Sequence, residues 1–485
     1  MTNDAYRMTK PPQSMFSRRP SQRSVLGILC LLAVCSCTLG PNFKVPDLNL
    51  GSSWKHRADV SDLALPDAWW TLFQNKTLTG LIERALAGNQ NLAGAEARVE
   101  TARVLSGVSA ADWFPQFSMQ NNATYERLSL NSVGANLPSG VKLPRVERDR
   151  HQVFVGLNYE LDLWGRVRRS VEAARAREGA AADNLAAQRL IVAAEVARVF
   201  FQTASLDSQQ QILRETIALR QEALTLQKSR FQGGLANEMD VARARTELEL
   251  ANNDMIGIER QRGNAENALS VLCGETSTTF KLAKNQHLPA PPRIAAGVPS
   301  TLIQRRPDIR AAEQSLRETN ANIGIAKADF FPTFSLIGTG GIESIGAEDF
   351  MEWRGRTASI GPQLSVPLFQ GGRLRGNLHA AEARYRESMA GYRQSILTAL
   401  QEVENAMIDV NAFGRQRAAV TAALNAAQET SKLARLRYDK GLASYFEVVD
   451  ADRTVLTTRL LQAQLDGQRL VATVQLVRSL GGGWK

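Results

Sequence analysis

Few residues in this 485-residue chain have the type and spacing to do chemistry, and the first of them is a cysteine. Val34-Cys35-Ser36-Cys37 has the form of a bacterial lipoprotein processing box, in which a small residue precedes a cysteine that becomes the mature N-terminus and carries acyl chains. Val34 ahead of Cys35 fits such a box poorly, so Cys37 is the expected acceptor. Each methylene buried in lipid contributes about 0.8 kcal/mol, and several chains together anchor firmly. An ordinary secretory signal that happens to contain cysteines is the other reading of these residues. Processing at Cys37 would remove Cys30 and Cys35 and leave only Cys273 beside it, which allows no intrachain disulfide framework. Beyond the cysteine, catalytic parts are missing. The sequence has no Gly-rich phosphate loop, no His-Glu-x-x-His and no Gly-x-Ser-x-Gly nucleophile elbow. His56, His151, His287 and His379 are far apart, without cysteine or acid partners at ligand spacing, and the methionines are scattered. The expectation is therefore no enzyme, no cofactor and no metal.

The elements around these residues begin with a leader. Arg18, Arg19 and Arg23 precede an apolar run from Val25 to Val34 that ends in small residues, the pattern of a secretory signal. Met15 is an alternative start. The run is shorter than the ~20 apolar residues a membrane-spanning helix needs. The whole chain is 22% charged and only 6% aromatic, and it is rich in Ala, Leu, Gln, Arg and Glu, which favours long helices in mutual contact. The net charge of +10 comes from Lys and Arg spread among acids, not from a basic patch with interleaved aromatics, so nucleic acid is not an expected partner.

The chain is written twice. Ala111-Asp112-Trp113-Phe114-Pro115-Gln116-Phe117-Ser118 returns as Ala328-Asp329-Phe330-Phe331-Pro332-Thr333-Phe334-Ser335, 217 residues later. Arg230-Phe231-Gln232-Gly233-Gly234-Leu235-Ala236 returns as Arg437-Tyr438-Asp439-Lys440-Gly441-Leu442-Ala443, 207 residues later, and Val171-Glu172-Ala173-Ala174 matches Leu378-His379-Ala380-Ala381 at the same spacing. Three blocks in one order point to an internal duplication.

Each copy has one plan. A helix runs to the Phe-Pro, where proline stops it. Two strands follow. In Gln152 to Asp162, Val153, Val155, Leu157, Tyr159 and Leu161 share one face, and polar residues fill the other apart from Phe154. The partner strand is expected over Phe117 to Tyr125, and the second pair over Thr333 to Gly340 and Thr357 to Leu368, with loops at Asn131 to Pro144 and Gly340 to Gly355. Long helices then resume. Val192, Val199, Leu206 and Leu213 recur every seven residues, as do Val196, Thr203, Gln210, Ile217, Leu224 and Phe231. Ala406, Phe413, Val420 and Ala427, with Val403, Val410, Leu424 and Tyr438, keep that register in the second copy, which predicts coiled-coil packing. The helix turns at Gly233-Gly234 or Gly441 and a second helix returns. The expected organisation is a signal peptide at 1–36 and a lipid-anchored segment at 37–70. A first repeat at 71–285 has its hairpin about 116–163 and its helical hairpin about 166–272. The second repeat at 286–485 has its hairpin about 333–368 and its helical hairpin about 373–480.

Strands with one apolar and one polar face suit a membrane barrel, wetted by lipid outside and water inside. Four strands cannot close, and a bilayer does not tolerate an open edge, so other copies must complete the sheet. At this point the residues resemble a family. Cys37-Thr38-Leu39-Gly40-Pro41-Asn42-Phe43-Lys44-Val45-Pro46, the run Pro299 to Glu313 around Arg305-Arg306-Pro307-Asp308, Ile323 to Pro332, and Leu480-Gly481-Gly482-Gly483-Trp484 resemble TolC-like outer-membrane efflux proteins. The similarity is to the lipoprotein branch that works with RND-type pumps, and it covers essentially the whole mature chain.

The resemblance implies a mixed α and β fold: an outer-membrane β-barrel of twelve strands, four from each chain of a homotrimer, continued by a long periplasmic α-barrel. It implies a passive exit duct for small molecules, supplied by an inner-membrane RND-type pump through a periplasmic adaptor, with acylation at Cys37 into outer-membrane lipid. Adaptors would dock on the helical tips, Gly233, Gly234, Leu235 and Ala236 together with Gly441, Leu442 and Ala443. Helix capping is the plainer role of these glycines, and Gly233 and Gly441 are expected to serve both. Glu447 and Asp450 fall where family members carry pore-facing acids; three apart, they share a helix face, and a trimer would gather six carboxylates. A solvated acidic face is the plainer reading. Tyr438 matches a tyrosine that latches the closed aperture, while Ala443 stands where the family has an arginine. Two rival functions share parts of this reading: a duct for type I protein secretion, and a non-transporting periplasmic coiled-coil scaffold.

Overall fold

A computed structural model of the chain describes residues 38–47, 51, 53–56, 66–127, 147–285, 288–294, 299, 302, 305–346, 348 and 350–483. The signal, Cys37, most of the run leading into Arg305, the loop expected from Asn131 to Pro144, and Trp484 lie outside these residues. The chain divides into two compact units, and each draws on both sequence copies. The first comprises Met1–Asn42, Val108–Glu172 and Asn320–Glu382; the second comprises Phe43–Gly107, Ala173–Thr319 and Ala383–Lys485.

The first unit is built on one antiparallel sheet, β1 (Gln116–Arg127), β2 (Glu147–Leu161), β3 (Thr333–Ile345) and β4 (Arg356–Ser365), in the order β1-β2-β3-β4. Its register sorts side chains by the period of two. One face collects Phe117, Met119, Val153, Val155, Leu157, Tyr159, Phe334, Leu336, Ile360 and Leu364, with Asn121 among them; the other collects Ser118, Gln120, Asn122, Gln152, Asn158, Thr339, Ser359 and Gln363, with Phe154 and Ile337 among them. Strands β2 and β3 run farther than expected, with β2 starting at Glu147 instead of Gln152 and β3 passing through Gly340 to Ile345. The reason is electrostatic and steric. Glu126 pairs with Arg148 at 2.9 Å and Arg150 with Glu343 at 2.7 Å, so charged cross-strand pairs carry the ladder where apolar alternation stops. Gly341 pairs with Phe154 in the ladder, and only glycine fits there, because a Cβ would lie 2.0 Å from the Val153 carbonyl and 2.7 Å from the Phe154 ring. Strand β4 stops at Ser365, three residues short of the expected Leu368, just before Pro367. Pro362 lies within β4, opposite Leu336 of β3.

Most of the helical sequence falls in the second unit. A 3₁₀ turn at Trp69–Phe73 leads into α1 (Lys76–Gly88) and α2 (Gln90–Ala111). Helices α3 (Arg166–Gln232) and α4 (Glu238–Leu272) form one hairpin, and α6 (Arg373–Asp439) and α7 (Tyr445–Ser479) form the other; α5 (Pro307–Ala328) precedes β3. Of these, α2, α3, α5 and α6 each run partly into the first unit. Corresponding helices have equal lengths, 67 and 35 residues, as an internal repeat requires. The heptad positions Val192, Val199, Leu206 and Leu213, with Val196, Thr203, Gln210 and Leu224, are buried, and so are Val403, Ala406, Leu424 and Ala427. Ile217, Val410, Phe413, Val420 and Tyr438 of the expected pattern are half-buried, and Phe231, one residue from the end of α3, is 46% exposed. Glycine 467 of α7 lies close against Ser205 of α3, whose hydroxyl donates to the Ala463 carbonyl at 2.9 Å. The core gathers Trp69, Phe73, Phe200, Phe201, Tyr392 and Ile396. Buried Arg306 of the Arg-Arg-Pro-Asp block binds Asp308, Glu402 and the Ser479 carbonyl, tying the starts of α5 and the end of α7 to α6. Among the described residues no helix is long and apolar enough to cross a membrane.

Candidate functional site

Both helical turns are built by the same hydrogen bonds. At the end of α3, Leu235 N–H donates to the Arg230 carbonyl (2.8 Å) and Gly234 N–H to the Phe231 carbonyl (3.0 Å). At the end of α6, Leu442 N–H donates to Arg437 (2.8 Å) and Gly441 N–H to Tyr438 (2.9 Å). This paired pattern needs one residue in the left-handed region. That residue is Gly234 (φ 73°) in the first turn and Gly441 (φ 70°) in the second. The capping expected of Gly233 therefore falls to Gly234, which stands 207 residues before Gly441, whereas Gly233 matches Lys440. Asn237 then caps α4 by accepting from Asp240 N–H at 2.9 Å. The tips are apolar and open. Leu235 is 75% exposed and Leu442 67%, with Met239 and Phe446 also exposed beside them.

Tyr438 lies between the two hairpins. Its hydroxyl accepts from Gln227 Nε2 of α3 at 3.0 Å, the Arg230 guanidinium sits 4.9 Å above its ring, and the Tyr445 ring lies 5.6 Å away. Burial pushes the Tyr445 phenol up to about 12, with the nearby Asp452 carboxylate adding to the effect. The arginine beside the tyrosine thus comes from α3, not from the position of Ala443. Glu447 stands in the first turn of α7, where its carboxylate meets Arg437 at 3.5 Å. Asp450 is exposed one turn on; Glu247 first, and the Asp450 charge after it, hold the Arg453 guanidinium above its ordinary range. Arg453 in turn reaches buried Glu247 of α4, which also binds Arg220 of α3 at 2.9 Å. A cavity of about 550 Å³ lies here, lined by Arg220, Gln227, Glu247, Tyr438, Tyr445 and Asp452 among others.

The sequence reading missed Gln227, Arg230, Arg437 and Glu247 as parts of this site. Arg230 and Arg437 carried a signal, since both open the repeated block before the glycine turn. The structure gathers Tyr438 and its partners, and it sets Glu447 against Arg437. Among the described residues no group of histidine, cysteine or acid side chains could hold a metal ion.

The family model described as outer membrane efflux protein matches residues 81–275 and 298–482. The chain is 32% identical to the toluene efflux pump outer membrane protein TtgI of Pseudomonas putida, over 95% of this chain and 98% of that protein. It is 30% identical to the cation efflux system protein CusC of Escherichia coli, over 94% of this chain and 97% of that one. The solved structure of the outer-membrane channel OprN superposes with a TM-score of 0.84 at 29% identity, covering 92% of this chain and all of the other.

Proposed function

The chain belongs to the outer membrane efflux protein family, and we propose that it is the outer-membrane channel subunit of a tripartite efflux pump, a passive exit duct for small molecules gated at its periplasmic end. The observation that carries this reading is the sheet. Its two faces separate apolar from polar side chains, and β1 and β4 are left as edges. A bilayer excludes unpaired strand edges. Three copies of four strands close them as a twelve-stranded barrel, with the polar face inward.

The helical hairpins then extend into the periplasm as an α-barrel. The exposed leucines of the two tips, with Gly233, Gly234 and Ala236 in the first and Gly441 and Ala443 in the second, form the surface on which a periplasmic adaptor docks. Glu447, Asp450 and Tyr438 form the gate. A trimer brings together six carboxylates, a ring that favours cations, and the pairing of Glu447 with Arg437 tempers the repulsion inside it. Cys37 carries the lipid anchor. The work of transport belongs to the inner-membrane RND-type pump, and this component needs no catalytic residue. Relatives named for toluene and for cations share the fold, which supports a duct whose cargo is chosen elsewhere in the pump.

Deleting the gene and profiling sensitivity to antibiotics, metals and solvents tests the function. Hypersensitivity to a subset of small molecules, reversed by re-expression of the chain, is the expected result. An unchanged profile would sink it.

A further inference from the structure

Residues 38–42 form neither helix nor strand, yet side chains that are themselves buried hold them. Arg169, whose side chain is 4% exposed, donates to the carbonyls of Leu39 (3.1 Å) and Gly40 (3.4 Å) and to the Asn42 side chain (2.9 Å). Buried Asn320 donates to the Pro41 carbonyl at 2.9 Å, and Leu39 N–H donates to the Trp164 carbonyl at 3.0 Å. The contact is close throughout. A Cβ on Gly40 (φ 91°) would meet the Gly324 Cα at 2.5 Å, and a Cβ on Gly165 would meet the Thr38 methyl at 2.7 Å. Three successive carbonyls are thus satisfied by two buried polar side chains, and Arg169 also holds an ion pair with Glu172.

The seat of the segment is the junction of strand and helix. Trp164 closes β2 against α3, donates from its indole to the Pro332 carbonyl at 2.7 Å and packs on Phe331 at 4.9 Å. Trp113, Phe114 and Phe330 are exposed at the ends of α2 and α5, near the Phe-Pro boundaries. Aromatic side chains of this kind mark the membrane–water boundary of a barrel.

We infer that Thr38–Asn42 is a strap, with Arg169 and Asn320 as its receptor, that fixes the lipid anchor at the level of this aromatic junction and so sets the depth at which the strands enter the bilayer. The inference rests on the proposed acylation of Cys37, the residue joined to Thr38 by one peptide bond. With the strap released, the next contact is Phe43 against Arg317, and the anchor could range over about 20 Å of extended chain. That distance approaches the ~25 Å height of a barrel's apolar band, so the anchor would no longer report depth.

The test separates registration from simple stability. Arg169→Met, a ten-residue Gly/Ser insert between Cys37 and Thr38, and the two combined are each made in the full chain. A linker of that length has a root-mean-square span of about 18 Å, enough to uncouple the anchor while leaving every strap contact in place. Insertion into phosphatidylethanolamine–phosphatidylglycerol vesicles is followed by the appearance of an SDS-resistant band. The strap predicts that either change slows insertion by about fivefold or more and that the combination is no slower than either alone. Asn320→Leu, which removes one bond and leaves Arg169 in place, follows the same pattern at smaller size. A linker without effect, or slowing that multiplies in the combination, overturns the proposal. Mass spectrometry of the N-terminal peptide distinguishes the other failure, because an unmodified Cys37 refutes the anchor reading itself.

Discussion

Glu447 is bound by Arg437 and Asp450 is open, so the two acids of the candidate gate are not equivalent. Neutralising Asp450 alone with Asn removes the freer charge and is expected to lower the cation-over-anion permeability ratio more than Glu447→Gln does. Reversal potentials in a salt gradient measure the ratio, and equal values for wild type and both variants would refute a charged constriction. Tyr445 gives a second prediction. Its phenol stays protonated to about 12 in the folded chain against an ordinary value of 10.0. The unfolded chain releases this proton first, so the contribution of the neutral phenol is whole below pH 10 and is lost as pH rises from there through about 12. Tyr445→Phe should lose less stability across that window, as read by thermal melts followed by circular dichroism; parallel loss would contradict it. Tyr438, Glu447 and Asp450 enter the candidate gate through the family resemblance alone. Gln227, as a partner of Tyr438, was not, since it stands 211 residues away in sequence and a buried glutamine on a heptad face looks like any other core position.

At the scale of elements, the two turns show what spacing can and cannot reveal. The repeat located both turns, but Gly233 and Gly234 are indistinguishable by type, and only the backbone angle assigns the cap. Gly234→Ala forces a Cβ into the left-handed region and should cost about 1–2 kcal/mol at that helix end, whereas Gly233→Ala should be neutral or slightly stabilising. Hydrogen exchange at the turn amides reads the difference, and equal effects would refute the assignment. Helix ends were legible because Phe-Pro and glycine punctuate them. Strand ends were not, because the sequence signal is apolar alternation, and β2 and β3 continue beyond it on the ion pairs of Glu126, Arg148, Arg150 and Glu343. Gly341 looks like a loop residue until the Phe154 ring and the Val153 carbonyl beside it explain it.

At the scale of the molecule, the duplication has two consequences. It supplies two helical hairpins of matching length, and it supplies two strand pairs that join into one sheet with β2 beside β3. Each compact unit is therefore made from both copies, a mixing that a linear reading of two repeats does not predict. The sheet still ends in two edges, and the proposed channel exists only when neighbouring copies pair them. Purified full-length chain reconstituted in a planar lipid bilayer tests that claim most directly. The account predicts discrete, uniform conductance steps, abolished when proline substitutions in β1 and β4 block pairing between copies. A bilayer that stays silent with correctly folded protein, or steps that survive those substitutions, would contradict it.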